Sequence, residues 1–226
     1  MLCSCNSDPS QAPVGAALNS GEWAMLFNGR NLDGWRSYGE DAARAEWVVE
    51  EGAIVLDVDE NTSDMTGGDL ITEQQYENFE LELDWKISEG GNSGLLFGVR
   101  EIEEQEVAYE TGIEMQILDD DRHRDGSTAE TSAGACYALY APVDKVLRPV
   151  GEYNEVRLIV NDGHVEHWLN GRKIVEYVIG SDDWQTRVAN SKFADWEHFA
   201  IYRRGHIALQ DHTDRVWFRN IRIREL

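Results

Sequence analysis

Nine consecutive residues, Phe79-Glu80-Leu81-Glu82-Leu83-Asp84-Trp85-Lys86-Ile87, alternate apolar and polar without a break. Successive side chains of a strand point to opposite faces, so the five apolar residues of this run share one face and the four charged ones share the other. The run commits the chain to a sheet with one dry side and one wet side. Other segments carry the same signature. Trp23-Ala24-Met25-Leu26-Phe27 reads as a strand closed by Asn28-Gly29, and residues 47–56 as a hairpin turning at Glu51-Gly52. Residues 69–72 form a short strand after a polar loop over 57–68. Residues 153–160 and 164–169 pair around Asn161-Asp162-Gly163, and Asn170-Gly171 turns the chain into 174–177. Residues 134–140 read as a strand with Tyr137 opposite Cys136. In 205–212, Ile207 and Leu209 point inward and His206, Gln210 and His212 outward. The last segment, 216–223, changes phase between Phe218 and Ile221, so a β-bulge is expected near Arg219-Asn220.

Residues 182–197 lack alternation and read as one helix or irregular excursion, started by Ser181 or Asp182 as a cap. About a dozen strands with hardly any helix imply an all-β fold, two antiparallel sheets packed face to face. A length of 226 residues suits one such domain over 21–226, preceded by a linker over 1–20 that has no periodicity.

The formal net charge is −23, from 43 acidic and 20 basic residues. Such a chain is repelled by nucleic-acid phosphates and by anionic membrane surfaces, which argues against both as partners. Cys3, Cys5 and Cys136 are too few for a disulfide framework or a zinc site, and Cys136 reads as a small core residue. Met1-Leu2-Cys3-Ser4-Cys5-Asn6-Ser7, ahead of the polar run, looks like the mature start of a bacterial lipoprotein. That implies an exported, periplasmic or cell-surface protein, touching a membrane only through a lipid anchor on one of these cysteines.

Two wet faces carry chemistry. In residues 112–119, Ile113, Met115 and Ile117 face the core, which leaves Glu114 and Gln116 side by side on the opposite face. A carboxylate and an amide on a rigid platform suit a hydroxyl-rich ligand, and Glu114 could move a proton; the same pattern also fits a plain exposed strand. In residues 92–100, Gly94 and Gly98 share a face with Asn92, Leu96 and Arg100. Two glycines there leave a shallow trough with Asn92 and Arg100 at its ends. No Gly-x-Ser-x-Gly elbow and no glycine-rich phosphate loop is present in the sequence, so nucleophilic serine chemistry and nucleotide cofactors are not expected.

Taken in order, these pieces resemble a family. They are Leu26-Phe27-Asn28-Gly29 with Leu32-Asp33-Gly34-Trp35, Asn92-Ser93-Gly94 with Arg100, and Glu114-Met115-Gln116-Ile117-Leu118-Asp119. Then come Gly134-Ala135-Cys136-Tyr137, Gly151-Glu152-Tyr153-Asn154, Leu169-Asn170-Gly171, 207–212 and 216–221. Together they are similar to the 3-keto-disaccharide hydrolases over nearly all of residues 23–226. The resemblance implies a concanavalin-A-like jelly roll whose curved sheet binds sugar. It also implies cleavage of a glycosidic bond in a sugar oxidised to a ketone at C3. Two positions depart from the family pattern: Tyr153, where Trp is common, and Thr213, where Gly is usual.

A C3 ketone acidifies the C2 proton, so a base can remove it, the C1 substituent is expelled, and water adds back across the double bond. This site needs a base near C2, a donor on the ketone oxygen and an acid at the leaving oxygen. Strand faces nominate Glu114 as base and His212 as acid or second base. Arg100 would polarise the ketone, Asn92, Gln116 and Gln210 would read hydroxyls, and Tyr137 or Trp168 would stack on the sugar. Asp119 and Asp211 would orient a base or hold a divalent cation such as Ca²⁺, if their strands have ended by those positions. The alternatives are a carbohydrate-binding module without turnover and a lipid-anchored interaction domain.

Overall fold

The computed structural model describes residues 21–58, 68–103 and 105–226. The expected tether over 1–20, with Cys3 and Cys5, lies outside the described residues, as does most of the polar loop over 57–68. Among the described residues no helix is long and apolar enough to cross a membrane.

Among the described residues thirteen strands form two antiparallel sheets. They are β1 (Ala24–Met25), β2 (Trp35–Ser37), β3 (Trp47–Glu50), β4 (Ala53–Leu56), β5 (Leu70–Thr72), β6 (Phe79–Ile87) and β7 (Asn92–Val99). After them come β8 (Ile113–Leu118), β9 (Asn154–Asn161), β10 (His164–Leu169), β11 (Arg172–Val178), β12 (His206–Leu209) and β13 (Val216–Glu225). The larger sheet runs β11-β10-β9-β6-β13-β4-β3, with β1 also pairing β13; the smaller runs β2-β5-β12-β7-β8. The long alternating run is β6, at the centre of the larger sheet between β9 and β13.

The inward faces meet in one core. Leu81, Leu83 and Phe218 of the larger sheet and Leu95, Met115, Ile117, Ile207 and Leu209 of the smaller all belong to it. Burying side chains of this size contributes about 1.5–3 kcal/mol each, before the entropy of ordering them. The expected bulge is real: pairing of β13 with β6 slips between Arg219 and Arg222, and Asn220 takes φ 55°. That slip brings both Phe218 and Ile221 into the core.

Helix α1 (Asp182–Ala189) starts where Ser181 accepts a hydrogen bond from the Trp184 N–H at 3.2 Å. It is shorter than the 182–197 excursion. The rest of that segment is a set of turns packed through Phe193, Trp196 and Phe199, with the Phe193 and Phe199 rings stacked at 3.9 Å.

Three expectations need correction. The strand over 23–27 shrinks to β1, because after Met25 the chain turns to bury Leu26 and Phe27. Residues 134–140 are not a continuous strand. Gly134 and Tyr137 bond to β8 through backbone groups, but Ala138 at φ 59° folds the chain back and leaves only isolated bridges at Cys136. Cys136 is buried in the core, and Tyr137 points the other way. The trough over β7 is half filled: Gly98 sits at φ 69° where β7 and β12 slip register. Leu96 and Val99 then join Tyr38, Ile71, Ala108 and Ala208 in a second small apolar cluster.

Candidate active site

That second cluster divides the outer face of the smaller sheet. Over one half lies the 100–111 loop, described at residues 100–103 and 105–111. The Glu101 carboxylate bonds both guanidinium nitrogens of Arg36, at 2.7 and 2.5 Å, and the Tyr38 hydroxyl donates to the Arg100 carbonyl at 3.1 Å. The paired Arg36 holds the Glu101 carboxyl below the usual range. Over the other half a pocket of about 330 Å³ opens.

The floor of the pocket is strand chemistry. Gln116 and Glu114 alternate outward from β8, Asn92 comes from the start of β7, and Gln210 follows the end of β12. Gly94 lies opposite Gln116 in the ladder, and its carbonyl accepts from the Gln210 N–H at 2.9 Å. The absence of a side chain at Gly94 makes the site possible. A Cβ there would stand 2.6 Å from a Glu114 carboxylate oxygen, so the carboxylate lies over the glycine. Val107 and Tyr109 of the 100–111 loop form one wall, and Lys192 and Trp196 of the turns after α1 form another. The walls meet where Tyr109 and Trp196 pack at 5.9 Å. Tyr137 closes a third side, under the Lys192 ammonium at 4.2 Å from its ring. Asp69, Asp211 and His212 complete the rim.

Electrostatically the pocket is tuned for proton transfer. Burial pushes the Glu114 carboxyl up to about 8; Lys192 opposes this, Asp69 and Asp125 add to it, and the Gln210 side chain hydrogen-bonds the carboxylate. Burial likewise pushes Asp69 up to about 7, although it accepts from the Asp211 N–H at 2.8 Å and from the backbone at Ala108. Asp211 is also raised, again by burial first. Lys192 is lowered by partial burial, against the pull of Glu114 and Asp125. Tyr137 is pushed up to about 12, so it stays a neutral hydroxyl; it donates to Asp125 at 3.3 Å.

Of the residues nominated from sequence, Glu114, His212, Asn92, Gln116, Gln210, Tyr137 and Asp211 line this one pocket. Three do not. Arg100 follows the bulge at Gly98 and points away; it reaches Gln75 at 3.4 Å and lies over the Tyr202 ring. Trp168 belongs to β10 in the other sheet, where it packs under Arg157 and donates to Glu166 at 2.7 Å. Asp119 lies beyond the end of β8, but its carboxylate is occupied by the backbone N–H groups of Gly90 and Asp121. Asp211, on the pocket rim, accepts from the Thr213 N–H at 2.9 Å. Thr213 itself sits at φ 66°, which accounts for glycine being usual there. Tyr153, the other departure, lies on the larger sheet under Arg219, 3.6 Å from its ring, well away from the pocket.

The sequence reading missed Asp69, Lys192, Tyr109 and Trp196. All but Asp69 come from irregular segments whose position is set by distant packing. Asp69 carried one signal: a lone carboxylate directly before the apolar run of β5.

A two-sheet sandwich with a polar pocket on the outer face of one sheet is an architecture that many activities share. The family comparison narrows this: the sequence pattern of the 3-keto-alpha-glucoside-1,2-lyase-like domain matches residues 22–224, and the chain belongs to that family. A 3-keto-disaccharide hydrolase of Bacteroides thetaiotaomicron is 33% identical, across 100% of this chain and 84% of that protein. A solved glycosyl hydrolase candidate from Parabacteroides distasonis is 34% identical with a TM-score of 0.82, over 90% of this chain and 94% of that one. A non-specific endo-β-1,3(4)-glucanase shares the fold alone, at 13% identity and a TM-score of 0.51, over 96% and 98% of the two chains.

Proposed function

We propose that this carbohydrate hydrolase cleaves the glycosidic bond of 3-keto-glycosides by proton abstraction at C2, elimination and hydration. The observation that carries the reading is the Glu114 carboxyl, driven up to about 8 in a pocket whose floor is otherwise neutral amides. A group with that proton affinity is matched to taking a carbon-bound proton near neutral pH and giving it back. A module that only holds sugar needs the amides and the aromatic walls but no such carboxyl.

In this scheme the Glu114 carboxylate takes the C2 proton, and the electron pair becomes the enolate of the C3 ketone. The C1–O bond then breaks as C1=C2 forms, and His212 hands a proton to the departing oxygen. Water then adds its oxygen to C1 as its proton passes to His212, and C2 recovers a proton from Glu114, which restores both groups. Lys192 replaces Arg100 as the cation facing the charge that builds on the substrate. Tyr109, Trp196 and Tyr137 offer ring faces to the sugar.

The test is incubation with an aryl 3-keto-glucoside while aglycone release is followed. Release by the wild type and not by Glu114→Gln supports the scheme. Equal background rates remove Glu114 from it. Sugar-dependent stabilisation without any release returns the chain to a binding role.

A further inference from the structure

Among the described residues, five buried side-chain polar atoms lack a hydrogen-bond partner, and three of them belong to pocket residues: Asn92 Oδ1, Gln116 Nε2 and Gln210 Oε1. These residues are only 4%, 1% and 6% exposed. Leaving buried polar groups unpaired costs about 1–3 kcal/mol each, a cost that a bound ligand can relieve. One of the amides has its polarity fixed from behind. The Ile117 N–H donates to Gln116 Oε1 at 3.1 Å, which leaves the Gln116 N–H₂ facing the pocket. The Gln210 side chain stands beside the Glu114 carboxyl, and its Oε1 is the atom left without a partner. Gln116 and Gln210 stand on either side of Gly94, and Asn92 lies two residues along the same strand. The floor therefore offers one donor and two acceptors around a glycine.

The complementary ligand presents one oxygen that only accepts and two groups that donate. A ring ketone flanked by two hydroxyls has that set. Resting on the 3-keto-glycoside reading above, we propose that Gln116 selects the oxidised sugar, donating from Nε2 to the C3 ketone oxygen while Asn92 and Gln210 accept from the neighbouring C2 and C4 hydroxyls. An unoxidised sugar places a hydroxyl at C3. Its oxygen still accepts from Gln116, but its proton faces two acceptors already in use and is left unpaired in a desolvated site. The same contact strengthens during the reaction, because the ketone oxygen gains negative charge as the enolate forms.

The experiment separates binding from turnover. In a Glu114→Gln background, which keeps an acceptor for Gln210, affinities for methyl 3-keto-α-glucoside and methyl α-glucoside are measured by calorimetry. The background is expected to prefer the oxidised sugar by roughly tenfold to a hundredfold. Adding Gln116→Met, or Gln116→Glu as a second variant of similar shape, is expected to bring that ratio to within about twofold of unity. Melting curves show which variants remain folded. A preference that survives either substitution in a folded protein overturns the assignment and leaves the proposed function standing. The assignment also falls if the background binds both sugars equally while the unsubstituted protein still releases aglycone from the oxidised one. Release from neither sugar defeats the proposed function itself, and the assignment with it.

Discussion

The outer faces of the two sheets were written in the same code and came to opposite ends. On the larger sheet the outward acids of β6 each meet a cation: Glu80 with Arg157 at 2.6 Å and with Arg224, Glu82 with Arg222 at 2.5 Å, Asp84 with Arg219 at 3.1 Å. Lys86 lies over Trp217 at 4.1 Å. On the smaller sheet Glu114 also points outward from an alternating strand, yet its direct partner is a neutral amide, and its carboxyl is driven up to about 8. A charge paired across a ladder is satisfied and inert. A charge ringed by amides, glycine and aromatic walls is held ready to change protonation state.

Removing one acid from each face is the strongest way to break this contrast. Glu114→Gln is expected to lower kcat for aglycone release by roughly 10²–10⁴-fold. Glu82→Gln, on the paired ladder, is expected to leave kcat within about twofold and to cost under about 1 kcal/mol of stability. Comparable losses from both would erase the distinction. Gly94→Ala comes next. Its Cβ would collide with the Glu114 carboxylate rather than with backbone, so the base is pushed aside while the fold adapts. The expected result is a kcat loss of about 10- to 100-fold with a small change in melting temperature. Lys192→Met sharpens the comparison further. Lys192 favours the ionised form of Glu114. In the wild type kcat/KM should rise with pH and level off above about 8. Without Lys192 that limb moves to higher pH and the plateau falls about tenfold. A limb that moves down, or stays in place, means the ammonium is not acting on this carboxyl.

Strand periodicity made most of the scaffold legible from sequence, because alternation is a local property. The run over 79–87 coincides with β6 at both ends, and the phase change before Ile221 located the bulge in β13. The floor of the site was legible for the same reason: Glu114 and Gln116 had to face away from Met115 and Ile117. What alternation cannot say is which outward face will be covered. Trp168 reads as a sugar platform on its outward strand face, and only the fold shows that Arg157 already lies over its ring. Arg100 was lost to a single inserted residue, since the slip at Gly98 reverses every side chain beyond it. Lys192 and Trp196 ride on turns fixed by ring packing with Phe193 and Phe199, contacts with no period to read. Asp69 was visible as a residue but not as an acid, because its burial depends on the 100–111 loop folding over it.

The remaining expected effect is thermodynamic and bears on the same carboxyl. In the unfolded chain Glu114 releases its proton near 4.5; in the folded chain burial holds it until about 8. Across that window the folded state carries a proton that the unfolded state has lost, so this group's contribution to stability is full below about 4.5 and disappears as pH rises through about 8. Glutamine at position 114 has nothing to lose. Glu114→Gln and the wild type should therefore melt together near pH 4. The variant should melt higher at pH 9 by roughly 5–15 °C, corresponding to about 2–5 kcal/mol for a shift of this size. Asp69, raised to about 7, pulls the same way but is present in both proteins and largely cancels in the difference. Glu82→Gln should show the reverse sense, since its loss removes a partner from Arg222. If the wild type melts above Glu114→Gln at pH 9, the ionised carboxylate is being stabilised in the pocket, and the contrast between the two faces collapses to two kinds of ion pair.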